Sequence, residues 1–296
     1  MVGGNGVKSA KIDLFTVINT VCMLLLISTM IYPFIYMLSI SLSSHEFVAR
    51  NEVFFWPKGF TTEWYARVFD NNRIYIGYRN TIIYVVVGSL SSLVVTSLGA
   101  FALSKSRMVL RGPLTFLIVF SILFSGGMIP TYLVVKSLGL INTMWAMILP
   151  NLISTFHVLV FRAFFEGIPA ELEDAGRIDG LNDFGFFLRI VAPLSKAVYA
   201  AIGLFTAVGI WNDFYTPFLY IKNQDLYPLQ VFLRDLVIAG QLDSEATAAQ
   251  RTNQTETVIQ SLKYATIIIG TLPILVLYPF LQKHFVKGVL IGSVKG

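Results

Sequence analysis

Charge is what this chain has least of: Lys, Arg, Asp and Glu together make up 13% of its 296 residues, against 55% hydrophobic residues and a mean hydropathy of +0.69. So little polar surface cannot cover a water-soluble globule of this length, and the chain reads as an integral membrane protein. Cysteine is nearly absent too. A lone Cys22 inside an apolar run excludes an intrachain disulfide framework. The three histidines, His45, His157 and His284, are widely separated and enter no metal-ligand or nucleophile arrangement. No GxxxxGK[ST] phosphate loop occurs, and a membrane-embedded enzyme is disfavoured for want of a catalytic constellation. The net charge of +5 is spread over the ends of apolar segments rather than gathered in a stripe, which suits lipid headgroups and not nucleic acid. The first apolar run is longer than a signal-peptide core and lacks a small-residue cleavage site, which predicts a retained first span.

What is present is apolar sequence in span-sized blocks. About 20 mainly apolar residues cross a hydrocarbon core of roughly 30 Å. Six segments qualify: Leu14 to Leu42, Asn80 to Leu103, Pro113 to Val135, Trp145 to Phe165, Ala197 to Ile221 and Leu262 to Leu281. None alternates with period two, so an all-α polytopic membrane protein with six transmembrane helices is expected, not a barrel. The short loop Lys105 to Arg111 holds three cations in seven residues and is therefore read as cytoplasmic, which puts both termini inside. The outside then carries two long connections, Ser43 to Arg79 and Lys222 to Lys263. The second contains AGQLDSEATAAQRTNQTET, a polar run that reads as a flexible excursion, either contacting an external partner or simply solvated. The expected division is 1–78, with the first span and first external loop, and 79–296, with five helices, a cytoplasmic loop at 166–196 and the external loop 222–263.

One charged island interrupts the apolar sequence. Between Glu166 and Lys196 lie the carboxylates Glu166, Glu171, Glu173, Asp174, Asp179 and Asp183 and the cations Arg177, Arg189 and Lys196. Pro169 suits a helix first turn, and Glu171, Glu173 and Asp174 fall near the positive end of the dipole. Leu172, Ala175 and Ile178 share a face, and Glu173 and Arg177 form an i,i+4 pair. Gly180 can end the helix in a left-handed cap, and Asn182 can start a second helix, FGFFLRIVA, ending before Pro193. The result is a helix-turn-helix at the membrane surface, serving either as a docking element or as a solvated amphipathic linker.

The run Asp174-Ala175-Gly176, followed by Asp179-Gly180 and then Pro193, resembles the coupling loop of ABC importer permeases, whose pattern is Glu-Ala-Ala, a short spacer, Asp-Gly and a distant Pro. Asp174 and Gly176 depart from it, giving a shorter carboxylate and a locally weaker helix. Further segments, FSGGMIPTYLVVKSLGLINTMWAMILP from Phe124 and GIWNDFYTPFLYIKNQDLYPLQ from Gly209, resemble carbohydrate-type permeases of the maltose superfamily, in the complex-oligosaccharide branch of Gram-positive bacteria. The resemblance implies a permease subunit that pairs with a second homologous permease, rests on two ATPase subunits and receives oligosaccharide from an extracytoplasmic binding protein. It implies no cofactor in this chain, with ATP and Mg bound by the ATPase partners. It also gives Glu173, Asp174, Ala175, Gly176, Asp179 and Gly180 the role of coupling the permease to the ATPase.

Other residues are singled out by their chemistry. Gly126, Gly127 and Pro130 interrupt the third expected span, as a conformational hinge or simply for close helix packing. Trp211, Asn212, Asp213 and Tyr215 lie near the outer end of the fifth, where aromatic faces can pack on a sugar ring while Asn and Asp bond its hydroxyls. Interface-belt aromatics and helix capping by Asp213 are the plainer alternatives. External cations such as Arg50, Arg67, Arg73 and Arg79 suit acidic oligosaccharides from plant polysaccharides, and suit lipid or protein docking as well. The rival function is an ion-coupled secondary transporter, which calls for intramembrane ionisable residues and internal repeats. Neither is evident in the apolar cores.

Overall fold

Long apolar runs without water to solvate their backbone must satisfy it internally, and helices do so. The computed structural model describes residues 14–124, 126–235, 238 and 258–276, and helices dominate them. In chain order these are α1 (Leu14–Ser41), α2 (His45–Ala49), α3 (Glu63–Phe69), α4 (Asn72–Ser104), α5 (Arg111–Leu123), α6 (Met128–Ser137), α7 (Trp145–Ile148), α8 (Thr155–Glu166), α9 (Ala170–Ile178), α10 (Asp183–Phe186), α11 (Ala192–Leu194), α12 (Lys196–Asn212) and α13 (Tyr215–Tyr220), then α14 (229–235) and α15 (Val258–Val276). The strand content of the described residues is a single isolated bridge between Ser43 and Phe60.

Three of these helices, α1, α4 and α15, are long and apolar enough to span alone. Three bent pairs bring the number to as many as six: α5 with α6 (118°), α7 and its 3₁₀ extension with α8 (54°), and Asp183–Leu194 with α12 (82°). The third and fourth expected spans are therefore broken. So is the fifth, because α12 stops at Asn212 and α13 begins at Tyr215. The polar excursion at 239–257 and the end of the last expected span lie outside the described residues.

Two compact units divide the described residues. The smaller holds α1, α2, most of α3 and α15 up to Ile268. The connection that follows α1 is folded rather than loose: Trp64 Nε1–H donates to the Ser43 carbonyl (2.9 Å), and the Ser41 and Tyr65 hydroxyls share a hydrogen bond of 2.8 Å.

The larger unit is built on α4, which packs chiefly on α8 and α12. At one end of α4, Gly77, Asn80, Thr81 and Tyr84 form a helical stripe that holds the segment 225–229. Asn80 Nδ2 donates to the carbonyls of Asp225 (2.7 Å) and Tyr227 (3.1 Å), and the Tyr84 hydroxyl donates to that of Leu226 (2.8 Å). A Cβ on Gly77 would lie 3.1 Å from the Leu229 backbone, a tight contact that glycine avoids. At the other end Phe101 packs with Phe161, Phe165, Phe186 and Phe187 in an apolar cluster, which brings the acidic island against α4.

The break after α5 has a local cause. Gly127 has φ +82°, while Pro130 falls in the first turn of α6, where a missing N–H costs nothing. Pro130 therefore starts a helix instead of kinking one.

Candidate functional site: a two-sided coupling loop

The acidic island folds as a helix-turn-helix. Pro169 stands at the N-cap of α9 instead of inside its first turn. The helix ends in a Schellman arrangement, with Leu181 N–H donating to the Gly176 carbonyl (2.9 Å), Gly180 N–H donating to that of Arg177 (3.0 Å) and Gly180 at φ +78°. Asn182 Oδ1 then accepts from Gly185 N–H (2.7 Å) and starts α10. Pro193 does not end the second helix, contrary to expectation. The five residues Phe187–Val191 form a wider π-type turn just before it, at the point where proline removes an i−4 hydrogen bond. The chain bends at Ser195, which is fully buried and hydrogen-bonds the Val191 carbonyl through both its backbone N–H (3.0 Å) and its hydroxyl (2.6 Å).

Helix α9 has two faces with different chemistry. Glu173 and Gly176, three residues apart, turn inward. Glu173 Oε2 accepts from Lys105 Nζ at 2.5 Å, and its Oε1 accepts from Arg177 at 2.7 Å and faces Arg107 at 3.6 Å. The Lys105 ammonium also sits 4.6 Å from the ring centroids of both Phe101 and Phe186, and its side chain is only 14% exposed. Arg107 reaches Asp183 on α10, and Arg111 reaches Glu166, which also accepts from Arg162 (2.9 Å). The basic loop 105–111 thus clasps the acidic loop at three carboxylates. Arg107 and Arg177 are about half exposed and line a cavity of about 640 Å³, so their ion pairs are solvent-screened and contribute little. The Lys105–Glu173 pair is the principal joint.

Gly176 is packed, not merely permissive. A Cβ there would stand 3.0 Å from Phe186 Cδ2 and 3.5 Å from Ile190 Cδ1, so the departure from alanine fits the crossing of the two helices. The outward face carries Glu171, Leu172, Asp174, Ala175, Ile178 and Asp179, all exposed, and Ile178 is 87% exposed. Asp174 has no ion-pair partner among the described residues. The two neighbouring carboxylates, indistinguishable in sequence, therefore separate: Glu173 is an internal anchor and Asp174 is free to meet another molecule.

Partial burial by itself would raise the Glu173 carboxyl. The hydrogen bond and charge of Lys105, with Arg177 and Arg107, override that and hold it below the usual carboxylate range. A depressed folded-state pKa stabilises above the unfolded value and loses that contribution as pH falls through the folded one. Hydrogen-exchange protection across 170–180, taken relative to the intrinsic amide rate at each pH, is accordingly expected to hold from about pH 8 down to 5 and to fall only below about pH 4, the ordinary carboxylate range.

The residues singled out near the fifth span do not act together. Trp211 is buried, donates from Nε1 to the Gly270 carbonyl (3.3 Å) and meets the Tyr78 ring edge-on, a structural role. Asp213 Oδ1 accepts from the N–H groups of Tyr215 and Thr216, both at 3.0 Å, and caps α13. Asp213→Ala is expected to cost about 1 kcal/mol and Asp213→Asn much less, measured as thermal shifts of the purified protein. The Tyr215 hydroxyl contacts Met128 Sδ, at the start of α6. Asn212 and Asp213 line a second cavity, while Trp211 and Tyr215 do not. Of the cations expected outside, Arg67 is engaged with Glu63 (2.6 Å) and the Trp64 ring, and Arg79 with the Asn80 side chain.

The clasping role of Lys105, Arg107 and Arg111 escaped sequence reasoning, which took them only as an orientation signal. Their charge is complementary to carboxylates 55, 68 and 76 residues away, but nothing in the sequence sets the register. Asn142 escaped as well. At φ +65°, its Oδ1 accepts from the N–H groups of Lys222 (3.0 Å) and Asn223 (2.8 Å), which fixes the exit from α13.

Comparison with known proteins follows this architecture. Residues 74–291 match the family model of the binding-protein-dependent transport system inner membrane component. Protein LplC of Bacillus subtilis is 46% identical over 266 residues, covering 90% of each chain. The polygalacturonan/rhamnogalacturonan transport system permease protein YtcP of the same organism is 41% identical, covering 90% of this chain and 93% of its own. A crystal structure of a bacterial ABC transporter involved in import of the acidic polysaccharide alginate superposes with a TM-score of 0.84 at 29% identity, covering 94% of this chain and 98% of that one. These matches favour an ABC permease over an ion-coupled carrier. The chain belongs to the family of binding-protein-dependent transport system inner membrane components and has the fold of an ABC importer permease.

Proposed function

We propose that the chain is the permease subunit of an ATP-driven importer of oligosaccharides, with acidic plant-polysaccharide fragments as the substrate class. The division of α9 into an anchored face and a free face carries the mechanical part of this reading. The names of the relatives support the substrate class. In this account a second homologous permease completes the membrane unit. Two ATPase subunits bind ATP and Mg beneath it, and an extracytoplasmic binding protein delivers substrate. The loop 105–111 and both termini face the cytoplasm of a bacterial cell.

Closure of the ATPase dimer pushes on Leu172, Asp174, Ala175, Ile178 and Asp179. The Schellman turn at Gly180 fixes the angle between α9 and α10. Glu173 and Gly176 pass the displacement to α4 through Lys105 and the Phe101 cluster, and α8 and α12 move with α4. The break at Gly126 and Gly127 lets α5 and α6 follow different paths during the movement.

Co-purification tests the reading directly. The tagged chain should bring down a homologous permease and an ATPase, and vesicles holding the assembly with its binding protein should take up labelled oligogalacturonate only with ATP. Asp179→Lys, which places the wrong charge on the docking face, should leave ATP hydrolysis running while uptake falls at least tenfold. A chain that transports alone, or with an ion gradient in place of ATP, would refute the assignment.

A further inference from the structure

A third cavity, of about 430 Å³, opens between the end of α4, the basic loop and α10. Leu98, Ala102, Met108 and Phe184 are among its lining residues, and each leaves part of its surface uncovered. The charged lining groups are Lys105, Arg107 and Asp183. Lys105 is committed to Glu173, so Arg107, its side chain 47% exposed, is the cation that stays accessible. Arg107 meets Asp183 and Glu173 through Nη2 alone. Its Nε and Nη1 groups make no hydrogen bond to another described residue, and a guanidinium with donors to spare suits a phosphate.

The segment Asp183–Leu194 meets α12 at 82°. With α12 crossing the bilayer, that segment runs close to the membrane plane at the end of a span, the depth of the lipid headgroups. Phe184, Leu188 and Leu194 are all more than half exposed, and so are Val109 and Leu110 beside Met108. Arg189 and Lys196 are exposed as well, and neither enters an ion pair among the described residues. Large apolar side chains next to unpaired cations are the composition of a helix that lies on an anionic bilayer. The outward face of α9 carries Glu171, Asp174 and Asp179 and is acidic, whereas this side of the loop is apolar and basic. The two sides therefore call for different partners.

We propose that this cavity binds an anionic phospholipid of the adjoining leaflet. An acyl chain lies along Leu98, Ala102, Met108 and Phe184, the phosphate meets Arg107, and Arg189 and Lys196 draw the negative headgroup to the segment. The lipid then fills the joint that Arg107 and Asp183 bridge, between the end of α4 and the second half of the loop. This rests on the span of α12 and not on the importer reading.

Tryptophan quenching in nanodiscs tests it, on the complex purified with the full tagged chain. In Phe184→Trp, with the emission of the parent's four tryptophans subtracted, the probes are phosphatidylglycerol and phosphatidylcholine brominated on an acyl chain near the headgroup. At equal minority fractions, brominated phosphatidylglycerol should quench the new tryptophan at least threefold more than brominated phosphatidylcholine. Adding Arg107→Gln should abolish that preference. Adding Arg189→Gln with Lys196→Gln, two exposed positions without ion pairs, should at least halve it while leaving thermal stability unchanged. Equal quenching by the two lipids would mean contact with bulk lipid only and would overturn the site. No quenching by either lipid would show the face covered by protein or open to water, with the same consequence. A preference that survives both sets of cation substitutions would overturn it too.

Discussion

Glu173→Ala should uncouple the importer, leaving ATP hydrolysis active while uptake falls by ten- to thirtyfold. The substitution strands Lys105 between two phenyl rings, at 14% exposure, without its carboxylate. Losing a hydrogen bond between charged groups at a partly buried site costs about 2 kcal/mol, and each 1.4 kcal/mol is tenfold in an equilibrium. That free energy comes out of the contact between α9 and α4, so the loop still meets its partner but moves without the bundle. The readout is the ratio of uptake to hydrolysis in vesicles. Asp174→Ala provides the contrast: because Asp174 has no ion-pair partner among the described residues, its loss should weaken ATPase association and spare the permease's own thermal stability.

Gly176→Leu should have an effect of similar size through sterics. Its Cβ alone would sit 3.0 Å from Phe186 Cδ2, and the rest of the side chain would wedge α9 away from the helix that begins at α10. Overpacking of this kind costs about 1–3 kcal/mol. Gly176→Ala is the graded control: Phe186 must give by a few tenths of an ångström, partly offset by alanine's higher helix propensity of up to ~1 kcal/mol. Differential scanning of the purified permease, alongside coupled uptake, should rank the parent and Gly176→Ala close together and Gly176→Leu well below.

The island was legible in sequence because each of its signals is local. Gly180 and Asn182 act on hydrogen bonds within six residues of themselves, so their capping roles could be assigned from residue type alone. Pro193 misled for the converse reason. A proline predicts a lost hydrogen bond, but whether the helix stops or widens depends on tertiary packing, and here Phe186, Phe187 and Val191 are pinned in the core around Phe101. The number of apolar blocks was readable, and Gly126, Gly127 and Pro130 marked the interruption of the third, whereas the break at Asp213 surfaced only with its capping hydrogen bonds. Glu173 and Asp174 carry the same charge one position apart. Only the 100° rotation between successive helical residues, combined with the placement of Lys105, sends one inward and the other outward. The same applies to Trp211 and Asn212, one buried against Tyr78 and the other lining the second cavity.

Thiol accessibility on α9 in the assembled importer tests the two-sided loop most directly. In a Cys22→Ser background, which removes the chain's own exposed thiol, Ile178→Cys should react readily with a maleimide in the isolated permease. It should become protected at least tenfold once the ATPase subunits bind, and should cross-link to them with a short bifunctional reagent. An Ile178→Cys that labels equally fast with and without the ATPase, and never cross-links to it, would contradict the account.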